Sequence, residues 1–321
     1  MRFYLRHWAW LWVLALGAGV LPVLIWLALP ADPAWQALLP GSQALSPLEQ
    51  GSLVLAVYGI KLLYMLLALA VLFLAWGESN PAWKALQGSL AAFWIGEFAC
   101  ATNILFFVEE NLALEYLHSL FMVFCLALLF FSALEATDQG LLNFTDPQAR
   151  CALVGVCKTC TKAHPETPTA CLLHRLFQWM IPLSGVLALM PLMAQPLNYS
   201  FATRVYGLPR LLTHLMPIQW YELRFSPWVA IMGMLAAWLA LSWRGGVEAG
   251  IRISKILLSL AAGHLGFSLM RLAFAAFYQE GLVWFIFWEE LTELMLVTGV
   301  GVVVWLVRPG RMARLKNSLI M

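Results

Sequence analysis

Eight stretches of this chain are long and apolar enough to cross a lipid bilayer as helices: 8–29, 53–76, 88–108, 114–134, 176–194, 226–243, 256–277 and 283–307. A spanning helix takes about 20 mostly apolar residues. Its backbone amides must bond within the segment, because hydrocarbon offers them nothing. The pattern therefore predicts an all-α, polytopic membrane bundle of about eight transmembrane helices. Composition points the same way. The chain is 62% hydrophobic and 11% charged, against roughly a quarter charged in soluble domains. Such a chain cannot cover itself with polar surface, so the lipid bilayer is its expected solvent and partner. The basic residues are scattered among loops, which argues against nucleic-acid binding.

The first stretch follows Arg2 and Arg6. It exceeds the about 7–15 apolar residues of a signal-peptide core, so it is expected to remain as a helix. Loop charge sets the orientation. With the N-terminus inside, the inner segments hold fourteen basic residues: Arg2, Arg6, Lys84, Arg150, Lys158, Lys162, Arg175, Arg244, Arg252, Lys255, Arg308, Arg311, Arg314 and Lys316. The outer segments hold three, Arg204, Arg210 and Arg224. Both termini are thus expected in the cytoplasm, in a bacterial-type inner membrane.

Three regions follow. Residues 1–134 carry the first four spans. Residues 135–175 form a cytoplasmic cysteine-rich loop. Residues 176–321 carry the last four, with an aromatic outer loop at 196–225 expected to lie on the outer surface and to contain a short interfacial helix. A second outer loop, 30–52, holds Pro30, Pro33, Pro40 and Pro47. The third and fourth stretches resemble the seventh and eighth. Gly96-Glu97 parallels Gly263-His264, and Glu115-x-x-His118 parallels Glu290-x-x-Glu293. A duplication would make them equivalent hairpins.

Two groups of residues carry chemistry. Cys151, Cys157, Cys160 and Cys171 fall within one loop, with His164 and His174 nearby. Clustered cysteines in a reducing compartment read as metal or redox ligands. The C-x5-C-x2-C-x10-C spacing comes close to a ferredoxin run, which favours an iron–sulfur cluster, with structural zinc as the alternative. Arg150, Lys158 and Lys162 would stabilise the thiolates. Cys100 and Cys125 lie in apolar stretches and read as small core residues.

The second group is intramembrane. Ionisable residues there are costly and mark cavities, ion paths or proton relays. At about 1.5 Å of rise per residue, and with turns placed near 111 and 281, they fall into two levels. Asn103, Glu115, His118, Arg271, Glu289 and Glu290 lie about 5–15 Å deep, and Glu97, His264 and Glu293 about 18–25 Å deep. Lys61 stands about 12 Å from its helix end. Glu97, Glu115, His118, His264, Arg271, Glu290 and Glu293 are the candidate catalytic or proton-carrying groups, with Asn103 and Lys61 as candidate binders of a quinone; the competing reading is charge-compensated packing, in which Lys61 and Arg271 pair with some of the glutamates. Glu115-x-x-His118 also matches half of a di-iron carboxylate pattern. His118 and His264 differ too much in depth to clamp one haem, so haem b is not expected.

No nucleotide-binding, zinc-protease or serine-hydrolase motif accompanies these residues. The reading is a membrane redox protein with a cytoplasmic four-cysteine centre and a buried cluster for quinone or proton handling, working with other redox subunits. The alternatives are a transporter, channel or assembly factor with a zinc loop, and a membrane-embedded metalloenzyme.

Overall fold

The computed structural model describes residues 46–107, 111–139, 180–183, 185–186, 200–205, 208–213, 216–242, 247–277 and 282–307. Among these, six helices are long and apolar enough to cross a membrane. Helix α1 runs Pro47–Ala75, α2 Pro81–Phe106 and α3 Leu112–Asp138. Helix α4 is continuous through Met216–Trp220, a π-helical turn Tyr221–Phe225, and Ser226–Ser242. Helix α5 is Val247–Phe277 and α6 is Leu282–Val307. The stretch 8–29 and the cysteine loop with its four thiols lie outside the described residues, as does most of 176–194.

Local sequence sets the helix ends. Ser46 and Glu49 form a capping box ahead of Pro47, satisfying amides that would otherwise lack partners. Asn80 caps α2 with Pro81 at its first turn. Asn111 caps α3 by accepting from Ala113 and Leu114. Between α3 and α4 the chain forms an antiparallel hairpin, β1 Ser200–Val205 against β2 Leu208–Thr213. The segment expected as an outer loop is thus partly extended. The helical part expected there begins at Met216 and runs straight into α4.

Pair contacts fix the helix directions. Along α2 and α3, Ser132 meets Ala82, Ser89 meets Cys125, His118 meets Gly96 and Asn103 meets Glu115. One number rises as the other falls, so the pair is antiparallel. Helix α5 runs antiparallel to α3, through Lys255–Glu135, Gly263–Ala127 and Arg271–His118. It is also antiparallel to α4, through Ser268–Glu222, His264–Ser226 and Ala261–Gly233. Helix α1 is antiparallel to α2 and parallel to α6, with Tyr64 on Glu290 and Val71 beside Gly301. Hence α1, α3, α4 and α6 point one way, and α2 and α5 the other.

The equivalent hairpins that a duplication would give are not both present. Helices α2 and α3 pack along their length, whereas α5 packs mainly on α4 and α3, and α6 mainly on α1. Two apolar cores follow from this. One joins α1, α2, α3 and α6 around Tyr64, Phe93, Met122 and Val297. The other joins α4 and α5 around Ala230, Met234, Leu258 and Ala261. Outward faces are apolar as well: Phe73 is 72% exposed and Met295 65%. Large side chains so exposed on spanning helices need lipid around them.

Candidate functional site

Where the two cores meet, the bundle buries charge. Lys61, Glu97, His118, Glu222, Arg271, Glu290 and Glu293 are each at most 4% exposed. They come from all six helices. Two of them owe their placement to π-helical turns. Leu55–Ile60 precedes Lys61, and Tyr221–Phe225 contains Glu222. A π turn rotates the face of a helix relative to its regular continuation, and such turns gather at functional sites.

Lys61 sits at the centre of one half. Its ammonium lies 2.5 Å from Glu97 Oε2, 2.9 Å from Glu290 Oε1 and 2.7 Å from the Tyr64 hydroxyl, which uses its three protons. Tyr64 in turn touches Glu97 Oε2 and lies 2.6 Å from Glu290 Oε2. A phenol has one proton and can donate to only one of these oxygens. A proton shared among Tyr64, Glu97 and Glu290 would satisfy both oxygen–oxygen approaches. Glu293 completes the group: its ligand oxygen lies within 4.8 Å of those of Glu97 and Glu290. Its Oε2 is buried without a hydrogen bond.

Arg271 organises the other half. Its Nε lies 3.1 Å from Glu222 Oε1, and its Nη1 pairs with Glu289. Phe267 and Phe285 stand 5.3 and 5.7 Å from the guanidinium carbon, so their ring faces also meet the cation.

His118 joins the halves. Its Nδ1 is 3.2 Å from Gly96 O and 3.3 Å from Glu97 Oε1. Its Nε2 is 3.4 Å from Arg271 Nη2 and 3.9 Å from Glu289 Oε1. One imidazole thus faces a carboxylate from each ring nitrogen. Glu289 is the more open of the two, its side chain 14% exposed against none for Glu97. Among the described residues, five carboxylates (Glu97, Glu222, Glu289, Glu290, Glu293) surround two permanent cations, Lys61 and Arg271. Ionising all five in a dry interior is prohibitive, so the cluster must hold protons or a further cation.

The remaining sequence candidates lie apart from this core. Glu115 accepts from Asn103 Nδ2 at 2.6 Å, and Asn103 Oδ1 accepts from the Asn111 amide. This pair ties the α2–α3 turn together. His264 bonds Ser226 at 2.8 Å and faces Tyr221. The expected two depth levels do not separate the residues, since Glu97 and His118 touch. Helix α2 ends at Phe106, five residues before the turn position near 111 from which the depths were counted. Measured from Phe106, Glu97 lies about 13 Å deep and His118, measured from Leu112, about 9 Å. A cavity of about 380 Å³ opens between α2, α3 and α6, lined by Trp83, Leu86, Ser132, Met295 and Val300 among others. No residue of the charged cluster lines it. Tyr64, Glu222 and Cys100 are site residues that the sequence reading missed. Cys100 is half-buried, beside Glu97 and His118.

Compared with protein-family models, curated proteins and solved structures, the chain matches none.

Proposed function

We propose that the protein is a membrane redox protein whose buried cluster takes up and releases the protons that accompany electron movement. One observation carries the proton part: His118 faces Glu289 from Nε2 and Glu97 from Nδ1. An imidazole can accept a proton at one nitrogen and release one from the other. A proton arriving at the more exposed Glu289 passes to Nε2, across a gap that a carboxylate rotation or one bridging water closes. The proton on Nδ1 then goes to Glu97, and Tyr64 shares it with Glu290. Lys61 holds the acceptor carboxylates in place, and Arg271 holds Glu289.

The test is a pH jump followed by infrared detection of protonated carboxyls. In the wild-type protein the signal relaxes through His118. In His118→Gln, which keeps a polar side chain for Gly96 O, relaxation is expected to slow by about 100-fold or more. Equal rates overturn the relay.

The electron side of the proposal rests on the four cysteines of the cytoplasmic loop, read as an iron–sulfur centre that exchanges electrons with partner subunits or a quinone. Anaerobically purified protein is expected to contain iron and sulfide in matching amounts and to lose both in Cys157→Ser/Cys160→Ser. Stoichiometric zinc in a colourless sample replaces this reading with a proton-coupled transporter carrying a zinc loop.

We further propose eight crossings in a bacterial-type inner membrane, with both termini cytoplasmic. The helix directions support a span between α3 and α4: these two are parallel, which fits one further crossing at 176–194. The loop charges support the orientation.

A further inference from the structure

We infer that Glu97, Cys100 and His118 form a binding site for one zinc-class divalent cation, and that an ion held there stops the proton relay. The ligand atoms of these three side chains all lie within 4.8 Å of one another. Glu97 and Cys100 are three residues apart on α2 and therefore share a face. His118 projects at them from α3, held by the close approach of the two helices at Gly96. A Cβ at Gly96 would meet His118 O at 3.3 Å and Phe121 Cβ at 3.2 Å.

An independent observation points to a ligand. Glu97 is fully buried and its Oε1 makes no hydrogen bond. Lys61 and Tyr64 occupy the other oxygen. Its polar neighbour is His118 Nδ1, 3.3 Å away, and a cation bound between these two atoms and the Cys100 sulfur would satisfy an oxygen that is costly to bury without a full hydrogen bond. One sulfur, one nitrogen and one oxygen donor suit zinc and its neighbours rather than magnesium or calcium, which take oxygen alone. Metal–ligand distances of about 2.0–2.3 Å place tetrahedral donors about 3.3–3.8 Å apart, so the three side chains need to close by no more than about 1.5 Å. Three protein ligands leave a fourth position for water. Binding releases the thiol proton, and any proton held by the imidazole Nδ1 or the carboxyl, to solvent.

The site goes beyond the relay proposed above and rests on it only for the blocking effect. The ion would occupy Glu97 Oε1 and His118 Nδ1, the two atoms between which the proton passes. Cys100 has no part in the relay, so Cys100→Ala separates the two ideas.

The experiment titrates full-length protein with Co²⁺ under reducing conditions and repeats the pH jump with and without Zn²⁺. The wild type is expected to bind one more Co²⁺ than Cys100→Ala and to show a thiolate-to-cobalt band that the variant lacks, beyond any signal from the loop cysteines. Zn²⁺ is expected to slow relaxation by about tenfold or more in the wild type and to leave Cys100→Ala unaffected. Identical stoichiometry and spectra in the two proteins overturn the site. If the extra Co²⁺ binds but metal-free wild type shows no carboxyl relaxation through His118, the site stands and the relay falls. If Zn²⁺ slows both proteins alike, the blocking effect does not belong to Cys100 and is overturned.

Discussion

Lys61→Met is expected to destabilise the protein by about 3–5 kcal/mol, the loss that follows when one partner of a buried ion pair is removed. Lys61 is 3% exposed and lies within 3 Å of both Glu97 and Glu290. Methionine fills similar volume but supplies no charge and no donor. It leaves the two carboxylates and the Tyr64 oxygen facing one another in a dry interior. Both carboxyls would then need protons, or the bundle would have to admit water. Neutralising the acids should return much of the loss, so Lys61→Met/Glu97→Gln/Glu290→Gln is expected to be more stable than Lys61→Met alone. Thermal and denaturant unfolding in lipid nanodiscs measures both effects. A Lys61→Met protein as stable as wild type would mean that the lysine does not hold the carboxylates.

Gly263→Ala is expected to cost about 1–3 kcal/mol, the usual range for overpacking a close contact. A Cβ at this position would lie 2.5 Å from Val123 O and 2.9 Å from Ala127 N. Both are backbone atoms of α3, and neither can turn aside as the tip of a side chain can. Helices α3 and α5 must therefore separate, which also draws Arg271 on α5 away from His118 on α3. Gly266 is the control. A Cβ there meets only Leu126 Cδ1, at 3.6 Å, an ordinary contact. Gly266→Ala should be neutral or slightly stabilising, because alanine lowers the entropy cost of an interior helical position. The difference in unfolding midpoint between the two variants reads the close approach directly. Equal midpoints would show that α3 and α5 are not held at this distance.

Six of the spans were legible because membrane length and hydropathy constrain a helix more tightly than any local propensity. Their ends were less so. Helix α1 begins at Pro47, α4 at Met216 and α5 at Val247, each several residues before its apolar run. Polar or aromatic turns at a bilayer surface look like loop in the sequence while continuing a helix in space. The same effect hid Glu222. It falls in a segment read as outer loop, yet α4 carries it inward and buries it against Arg271. Tyr64 was hidden for another reason. Tyrosine in a membrane helix usually marks the interface, and nothing local says that this hydroxyl meets two carboxylates.

The charged residues of the cluster stood out because an ionisable side chain in an apolar run has few bland explanations. Their mutual arrangement did not stand out. It depends on where α2 ends and on two π-helical turns, and hydropathy does not report either. Cys100 shows the limit most clearly. Alone in an apolar helix it reads as a small core residue. Only the packing of α3 against α2 brings an imidazole beside it.

A bundle that takes up and releases protons at this cluster holds one of them on a buried carboxyl. Infrared spectroscopy of the metal-free protein in lipid at neutral pH tests it most directly. The expected spectrum has a protonated-carboxyl stretch that shifts on exchange into deuterated water and is altered or lost in Glu97→Gln and Glu290→Gln. A wild-type spectrum without that band, with every carboxyl ionised, would contradict it.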